Sequence, residues 1–134
     1  NGTDVFAAGR KNNYGIVYKN GVPFSEDLQS SPNTSVFSGI KVNGSDVYTA
    51  GCYNNQATLG INGVITTYED PAVFETIGSS IALNGTDKYV GGYTNFLELG
   101  VSVSRAKLWR NGVDIMPVTN TDSRVNSVFI QNEY

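Results

Sequence analysis

The stretch NGSDVY at residues 43–48 decides the fold, because the chain contains it three times in nearly the same form. NGTDVF occupies residues 1–6 and NGTDKY occupies residues 84–89, so the spacings are 42 and 41 residues. A period of this size is typical of repeat proteins, in which one unit cannot bury its apolar face alone and stacks on its neighbours. The sequence therefore predicts one domain, residues 1–134, with repeats at about 1–42, 43–83 and 84–130.

Each repeat reads as four strands joined by tight turns. A second Asn-Gly pair follows the first in every repeat, at residues 20–21, 62–63 and 111–112. Asn and Gly tolerate the positive φ of a type I′ turn, so β-prone runs on both sides of Asn-Gly predict hairpins. We name the strands of a repeat A to D in chain order; in the second repeat, strand A ends at Val42 and strands B, C and D occupy 46–51, 57–61 and 64–68.

The strand order along the chain is then B-C-D, A-B-C-D, A-B-C-D and a last A. No strand A precedes Asn1, and a spare one lies at 127–130. A terminal strand that completes the first unit closes a ring of repeats without exposed sheet edges. We expect residues 127–130 to pair with the first repeat, in the same chain or in a second copy.

Composition excludes several classes of function. The chain has no His, so a Ser-His-Asp or Cys-His arrangement cannot form within it. Cys52 is the single cysteine, which excludes an internal disulfide. The nine Lys and Arg residues are scattered over a chain of net charge −3, which argues against a nucleic-acid partner. No apolar run approaches the roughly 18 residues of a membrane span.

Acidic residues recur, but their positions favour structural roles. Pairs at 26–27 and 69–70 follow strand D in two repeats, where solvated loops are expected rather than the facing carboxylates of a glycosidase. Asp4, Asp46 and Asp87 each follow a turn sequence, and an Asp there can fix the turn by accepting hydrogen bonds. No catalytic residue, metal site or cofactor is expected. N-glycosylation patterns begin at Asn1, Asn33, Asn43 and Asn84.

Tyr and Asn cluster in or near the B–C connections. This composition is common on loops that recognise carbohydrate or protein. The candidate ligand-binding residues are Tyr14, Tyr53, Asn54, Tyr93, Asn95 and Trp109. Trp109 aligns with Tyr18 and Gly60 just before the second Asn-Gly, where packing between repeats is the alternative.

Topology places the Tyr and Asn candidates on one surface. In an up-and-down meander the A–B and C–D turns share one end, and the B–C and D–A connections share the other. The B–C connections vary, and the third repeat has its extra residues at 93–107. Function usually resides where a scaffold varies, so we expect any site on the B–C side.

The repeats resemble a known group. DVYTAG at 46–51 and WRNG at 109–112 resemble bacterial β-propeller repeats that carry a DVYVAG strand and a WKNG hairpin in each blade. The middle repeat departs from this pattern with GING at 60–63. The resemblance implies four-stranded blades and an extracellular or cell-surface location.

Several assemblies and functions are compatible with three repeats. Propellers have four to eight blades, so three blades suggest a six-bladed ring made by a homodimer or completed by blades of a longer chain. A β-trefoil is the alternative fold, although no Gln-x-Trp repeat is present. The expected function is a non-enzymatic binding or interaction module with a glycan or protein ligand. The alternatives are a carbohydrate-binding lectin and a hydrolase with carboxylates in a central channel.

Overall fold

The protein is all-β. A computed structural model of the chain describes residues 3–26, 34–68, 74–116 and 122–131. The strands are β1 (Phe6–Lys11), β2 (Tyr14–Lys19), β3 (Val22–Glu26), β4 (Ser35–Asn43), β5 (Asp46–Tyr53), β6 (Gln56–Ile61), β7 (Val64–Tyr68), β8 (Glu75–Asn84), β9 (Asp87–Glu98), β10 (Val101–Arg110) and β11 (Val113–Asp114). The described ranges contain no helix that could cross a bilayer.

The B-C-D strands of the first unit and the A-B-C-D strands of the next two each form their own antiparallel sheet, as the strand order predicted. The second and third sheets begin with strand A at Ser35 and Glu75, before the predicted repeat bounds at 43 and 84. The first sheet is β1-β2-β3, the second is β4-β5-β6-β7 and the third is β8-β9-β10-β11, with neighbours in sequence also neighbours in space. Within the described residues no strand of one sheet pairs with a strand of another. A trefoil barrel needs such pairing between repeats, so the trefoil alternative is wrong.

The two kinds of Asn-Gly turn differ in geometry. In the C–D turn of the second repeat, Asn62 has φ 51° and Gly63 has φ 85°, as a type I′ turn requires, and the other C–D turns match it. In the A–B turn, Asn43 is instead the last paired residue of β4, opposite Asp46. Gly44, at φ 61°, is the first central residue, as in a type II′ turn. The type I′ prediction is therefore wrong for the A–B turns at 43–46 and 84–87. The equivalent pair in the first repeat, Asn1 and Gly2, lies outside the described residues.

The sheets stack face to face in chain order around two apolar clusters. Between the first and second sheets the buried cluster consists of Val17, Phe37 and Val47. A larger cluster joins the second and third sheets and contains Ala50, Ala57, Leu59, Tyr68, Ile81, Val90 and Trp109. Consecutive sheets thus bury one another's faces, which a single repeat could not do alone.

A pair of hydrogen bonds, which we call the latch, ties each strand A to the preceding sheet. It is made by a hydroxyl residue at one equivalent position: Ser35, Thr76 and Ser123. Its backbone N–H donates to the carbonyl of Asn13, Asn55 or Ser104, at 2.9, 2.8 and 3.0 Å. Its hydroxyl oxygen accepts from the backbone N–H of Gly15, Ala57 or Ala106, at 2.7, 2.7 and 3.1 Å. The third latch places residues 122–131 where strand A of a further repeat would lie.

Residues 122–131, the terminal segment, lie against the third sheet without forming an assigned strand. The backbone N–H of Val125 donates to the carbonyl of Gly92 at 3.0 Å. The side chains of Val125 and Val128 cover Gly91. The structure therefore shows residues 127–130 on the third sheet, and their expected pairing with a first repeat stays a prediction.

Candidate functional site

The three B–C turns define what we call the B–C surface. Every B–C connection is a two-residue turn, at residues 12–13, 54–55 and 99–100. The prediction that the B–C connections vary in length is therefore wrong, whereas most residues of the D–A connections on the same side lie outside the described ranges. The difference lies in strand length, because β9 has 12 residues and β10 has 10, against 8 and 6 for β5 and β6.

The extra length forms a projecting ribbon, residues 96–103, which we call the tip. The pairing of β8 with β9 ends at Glu75 opposite Asn95, so beyond this point β9 and β10 pair only with each other. Leu97, Leu99 and Val101 are exposed on this ribbon. Three exposed apolar side chains on one hairpin are an unusual feature for a small domain whose other B–C turns consist of Asn.

Leu99 adopts a backbone conformation that leucine rarely takes. Its φ is 50° and that of Gly100 is 80°, the values of a type I′ turn. The other non-glycine residues with positive φ in the described chain are all Asn. A left-handed conformation costs a residue with a branched side chain about 1–2 kcal/mol. Leu99 is also fully exposed, so its side chain gains nothing from the fold.

Charged groups support the base of the tip. The Arg105 guanidinium lies 4.0 Å from the centre of the Phe96 ring. Its nitrogen lies 3.7 Å from a carboxylate oxygen of Glu98. A cation stacked on the ring and paired with a nearby acid restricts the ribbon. The tip is therefore held in place while its leucines stay exposed.

Trp109 lies in the core. It is 6% exposed, and its ring centre is 5.9 Å from that of Tyr68 across the junction of the second and third sheets. The buried ring offers no face to a ligand, which supports the packing alternative for this residue. Tyr68 is buried too, and burial raises the pKa of its hydroxyl to about 12.

Tyr93 and Asn95 are engaged by neighbouring side chains. The Arg124 guanidinium lies 4.5 Å from the Tyr93 ring centre. The Asn95 amide donates to a Glu75 carboxylate oxygen at 2.7 Å and accepts from the Ser104 hydroxyl at 2.7 Å. The Tyr93 contact fastens the terminal segment to the third sheet, and the Asn95 bonds join β9 to β8 and β10 within that sheet. Both residues therefore have structural roles on the B–C side.

The remaining candidates lie apart on the B–C surface. Tyr14 is partly buried and lines a cleft of about 180 Å³ with Lys11 and Glu26, which form an ion pair at 3.4 Å. Tyr53 is partly buried at the end of β5, and Asn54 is exposed in its turn. Tyr14 is the only one of the six candidates that lines this cleft.

The opposite surface carries a repeated side-chain clamp. In the second repeat the Asn62 amide donates to the Asp46 carboxylate at 2.9 Å, and its carbonyl accepts from the Val47 backbone N–H at 2.9 Å. Asn20 with Asp4 and Asn111 with Asp87 form the same bonds. The sequence predicted that each Asp accepts backbone N–H groups and fixes the A–B turn that it follows. The bonds observed instead join each Asp to the side-chain amide of an Asn in the C–D turn.

Cations reinforce two of these clamps. Lys19 lies 2.8 Å from Asp4, and Arg110 lies 2.6 Å from Asp87. Hydrogen bonds from Lys19 and then Asn20 lower the pKa of Asp4, and those from Arg110 and then Asn111 lower the pKa of Asp87. The carboxylates of Asp4 and Asp87 are therefore occupied by hydrogen bonds and ion pairs beside the turns.

The other chemistry-bearing residues show no catalytic arrangement in the described ranges. Burial, followed by the nearby charge of Glu75, raises the pKa of the Cys52 thiol to about 11, so the thiol is protonated at neutral pH. Glu26 is paired with Lys11. Asp27, Glu69, Asp70, Asn1 and Asn33 lie outside the described residues.

Sequence reasoning located the variable hairpin but not its conformation. The signal was present in FLELGVSV at 96–103, which alternates apolar and polar residues around a central Leu-Gly pair. That pattern predicts two paired strands and a tight turn.

Comparisons of the chain with protein-family models, curated proteins and solved structures found no match.

Proposed function

We propose that the protein is a non-enzymatic binding module on a β-propeller scaffold of four-stranded blades. Three consecutive antiparallel sheets that stack face to face, each built from one repeat, support the scaffold. The resemblance of the repeats to bacterial surface propellers supports an extracellular or cell-surface location.

The binding element of this proposal is the tip. The observation that carries it is Leu99, which is exposed and held at φ 50°, whereas every other non-glycine residue with positive φ in the described chain is Asn. Backbone strain and an exposed apolar side chain both oppose stability, and strain of this kind clusters at functional sites. Leu97 and Val101 flank Leu99 and enlarge the apolar surface.

The chemistry of the tip favours a protein partner with an apolar pocket. Glu98 is the one charged residue within 96–103. The tip itself has no Lys or Arg, and Arg105 at its base is paired with Glu98, so the tip offers no net positive charge to nucleic acid or to an anionic bilayer. It also lacks an aromatic platform for a sugar, because Arg105 covers the ring of Phe96. The proposed contact inserts Leu99 into the partner, with Leu97 and Val101 at the rim.

The test combines arrays of purified extracellular proteins and of glycans with a tip variant. Leu99→Asn restores the turn residue used elsewhere in the chain. We expect it to weaken binding to a protein ligand by about tenfold to a hundredfold, the equivalent of 1.5–3 kcal/mol for burial of one leucine. The same variant should be more stable by about 1 kcal/mol, because the left-handed strain is removed.

Val64→Thr serves as the matched control, because Val64 is exposed beside a C–D turn on the opposite surface. We expect this variant to bind like the original chain. A glycan that binds equally well to the original and Leu99→Asn chains would favour the lectin alternative. The proposal would be contradicted if Val64→Thr lost binding to the protein ligand while Leu99→Asn retained it.

A further inference from the structure

The first sheet has an unpaired edge. In the second and third sheets, strand B is paired on both sides, with strand A and with strand C. In the first sheet, β1 pairs with β2, and no other described strand pairs with it. The backbone groups along that edge are a template for one more strand.

Gly9 is the residue on this edge whose position indicates a neighbouring strand A. A Cβ on the equivalent Gly51 would overlap the carbonyl oxygen of Val36, and one on Gly92 would overlap that of Ile77. Both carbonyls belong to a strand A beside a bulge, so glycine is required where that strand approaches. A Cβ on Gly9 meets no atom within 4 Å. The glycine of β1 therefore suits a strand A that the first sheet of this chain does not hold.

A cleft lies where that strand would pack. It has a volume of about 670 Å³ between the first and second sheets, and its apolar lining comes from Phe6, Phe24, Ile40 and Val42. At the next junction, Tyr48, Ile61 and Leu83 pack against the core cluster. Phe6, Ile40 and Val42 likewise pack against the buried cluster of the first junction, so the cleft opens directly onto that core.

The terminal segment supplies a matching strand. Its latch gives it the position of a strand A, and its Phe129 side chain is 77% exposed. Phe129 is equivalent to Lys41 and Ala82, whose partners in strand B are Tyr48 and Tyr89. Phe6 is the residue of β1 equivalent to these tyrosines.

We propose that residues 122–131 of a second copy of this chain complete the first sheet by pairing with β1. The register follows from the two complete sheets, in which strand A pairs with strand B identically. It places Val125 opposite Gly9, Ser127 opposite Ala8, Val128 opposite Ala7, Phe129 opposite Phe6 and Ile130 opposite Val5. Phe129 then enters the cleft beside Phe6 and against Ile40 and Val42.

Two arguments favour a second copy over the same chain. The latch of Ser123 fixes the terminal segment on the third sheet, and the second sheet lies between the third and the first. The exchange is also reciprocal, because a two-fold dimer satisfies both edges at once and joins six sheets in one ring. This inference stands independently of the ligand proposed for the tip.

The first experiment measures mass by sedimentation equilibrium at micromolar concentration. We expect a dimer of the 14.4 kDa chain. Gly9→Val should abolish the dimer yet leave the circular dichroism spectrum unchanged, because the added side chain meets nothing within the chain. Thr66→Val places a valine at an exposed position of strand β7, which takes no part in the proposed pairing, and should leave the dimer intact.

The second experiment tests the register in a Cys52→Ser background. Ala7→Cys chains mixed with Val128→Cys chains should form a disulfide-linked dimer under mild oxidation. Ala8→Cys mixed with Val128→Cys is the control, since a one-residue slip points the side chains to opposite faces. A monomer of the original chain, equal linking in both mixtures, or a link within one chain of the Ala7→Cys, Val128→Cys double variant would overturn the proposal.

Discussion

At the scale of single residues, asparagine performs a task that glycine alone could not. Asn62 takes the left-handed conformation of its turn and also bonds Asp46 and Val47 at the adjacent start of strand β5. Glycine would accept the same φ but has no side chain for those bonds. The sequence pattern identifies the turn, whereas the clamp depends on the side chains that the pairing brings together.

Two variants separate these roles. We expect Asn62→Gly to destabilise the protein by about 1 kcal/mol, through the lost hydrogen bonds alone. Asn62→Ala should cost about 1–2 kcal/mol more, because alanine also resists the left-handed conformation. Urea unfolding of both variants measures the difference. Equal destabilisation by Ala and Gly would show that backbone strain is not part of the cost.

Cys52 gives the protein a pH dependence at alkaline pH. Its folded-state pKa is raised from 9.0 to about 11, so between these values the folded chain holds a proton that the unfolded chain has lost. Stability attributable to the neutral thiol is complete below pH 9 and declines as the pH rises to about 11. The free energy of unfolding, measured across this pH range, should fall more for the original chain than for Cys52→Ala. Parallel curves would contradict the buried thiol.

At the scale of elements, the latch uses one hydroxyl residue to join two consecutive sheets. Thr76 is buried, and its hydroxyl accepts the N–H of Ala57 at 2.7 Å. Thr58 is equally buried, but its hydroxyl has no hydrogen-bond partner among the described residues. The two threonines therefore form a natural contrast.

Replacing each threonine by valine should change stability in opposite directions. Thr76→Val leaves the Ala57 N–H unsatisfied and should cost about 1–3 kcal/mol, whereas Thr76→Ser should retain most of the stability. Thr58→Val removes a buried unpaired hydroxyl and should be neutral or stabilising by about 1 kcal/mol. Thermal unfolding distinguishes them. Destabilisation by Thr58→Val of the size expected for Thr76→Val would contradict the assignment.

The strands could be predicted because their signals are local. The latch could not be predicted, because its partners are distant in the sequence. Two-residue periodicity and turn residues mark β5, β6 and β7 within a few positions. Ser35, Thr76 and Ser123 are single hydroxyl residues at unequal spacings, and their partners lie about twenty positions earlier. Asn43 and Asn62 stand in identical dipeptides, so only the pairing of Asn43 with Asp46 reveals a different turn. The direction in which Trp109 points likewise depends on a neighbouring sheet.

At the scale of the whole molecule, strand exchange would make stability depend on concentration. A partner that binds only the folded chain raises the apparent Tm as its concentration rises. We expect calorimetry from low to high micromolar protein to show an increasing Tm for the original chain. Gly9→Val should give a Tm that does not change with concentration, and a constant Tm for both chains would contradict the exchange.

The latch has a consequence for how such a chain can grow or shrink. Each junction draws one hydroxyl from the following repeat and one amide from the preceding repeat, and every interior unit carries both. A gene duplication or deletion of a whole unit therefore leaves each remaining junction with the same pair of atoms, and no amide loses its acceptor. Nearest-neighbour coupling of this kind makes repeats interchangeable building blocks. Evolution can then vary the number of units in a chain without disturbing the junctions that remain.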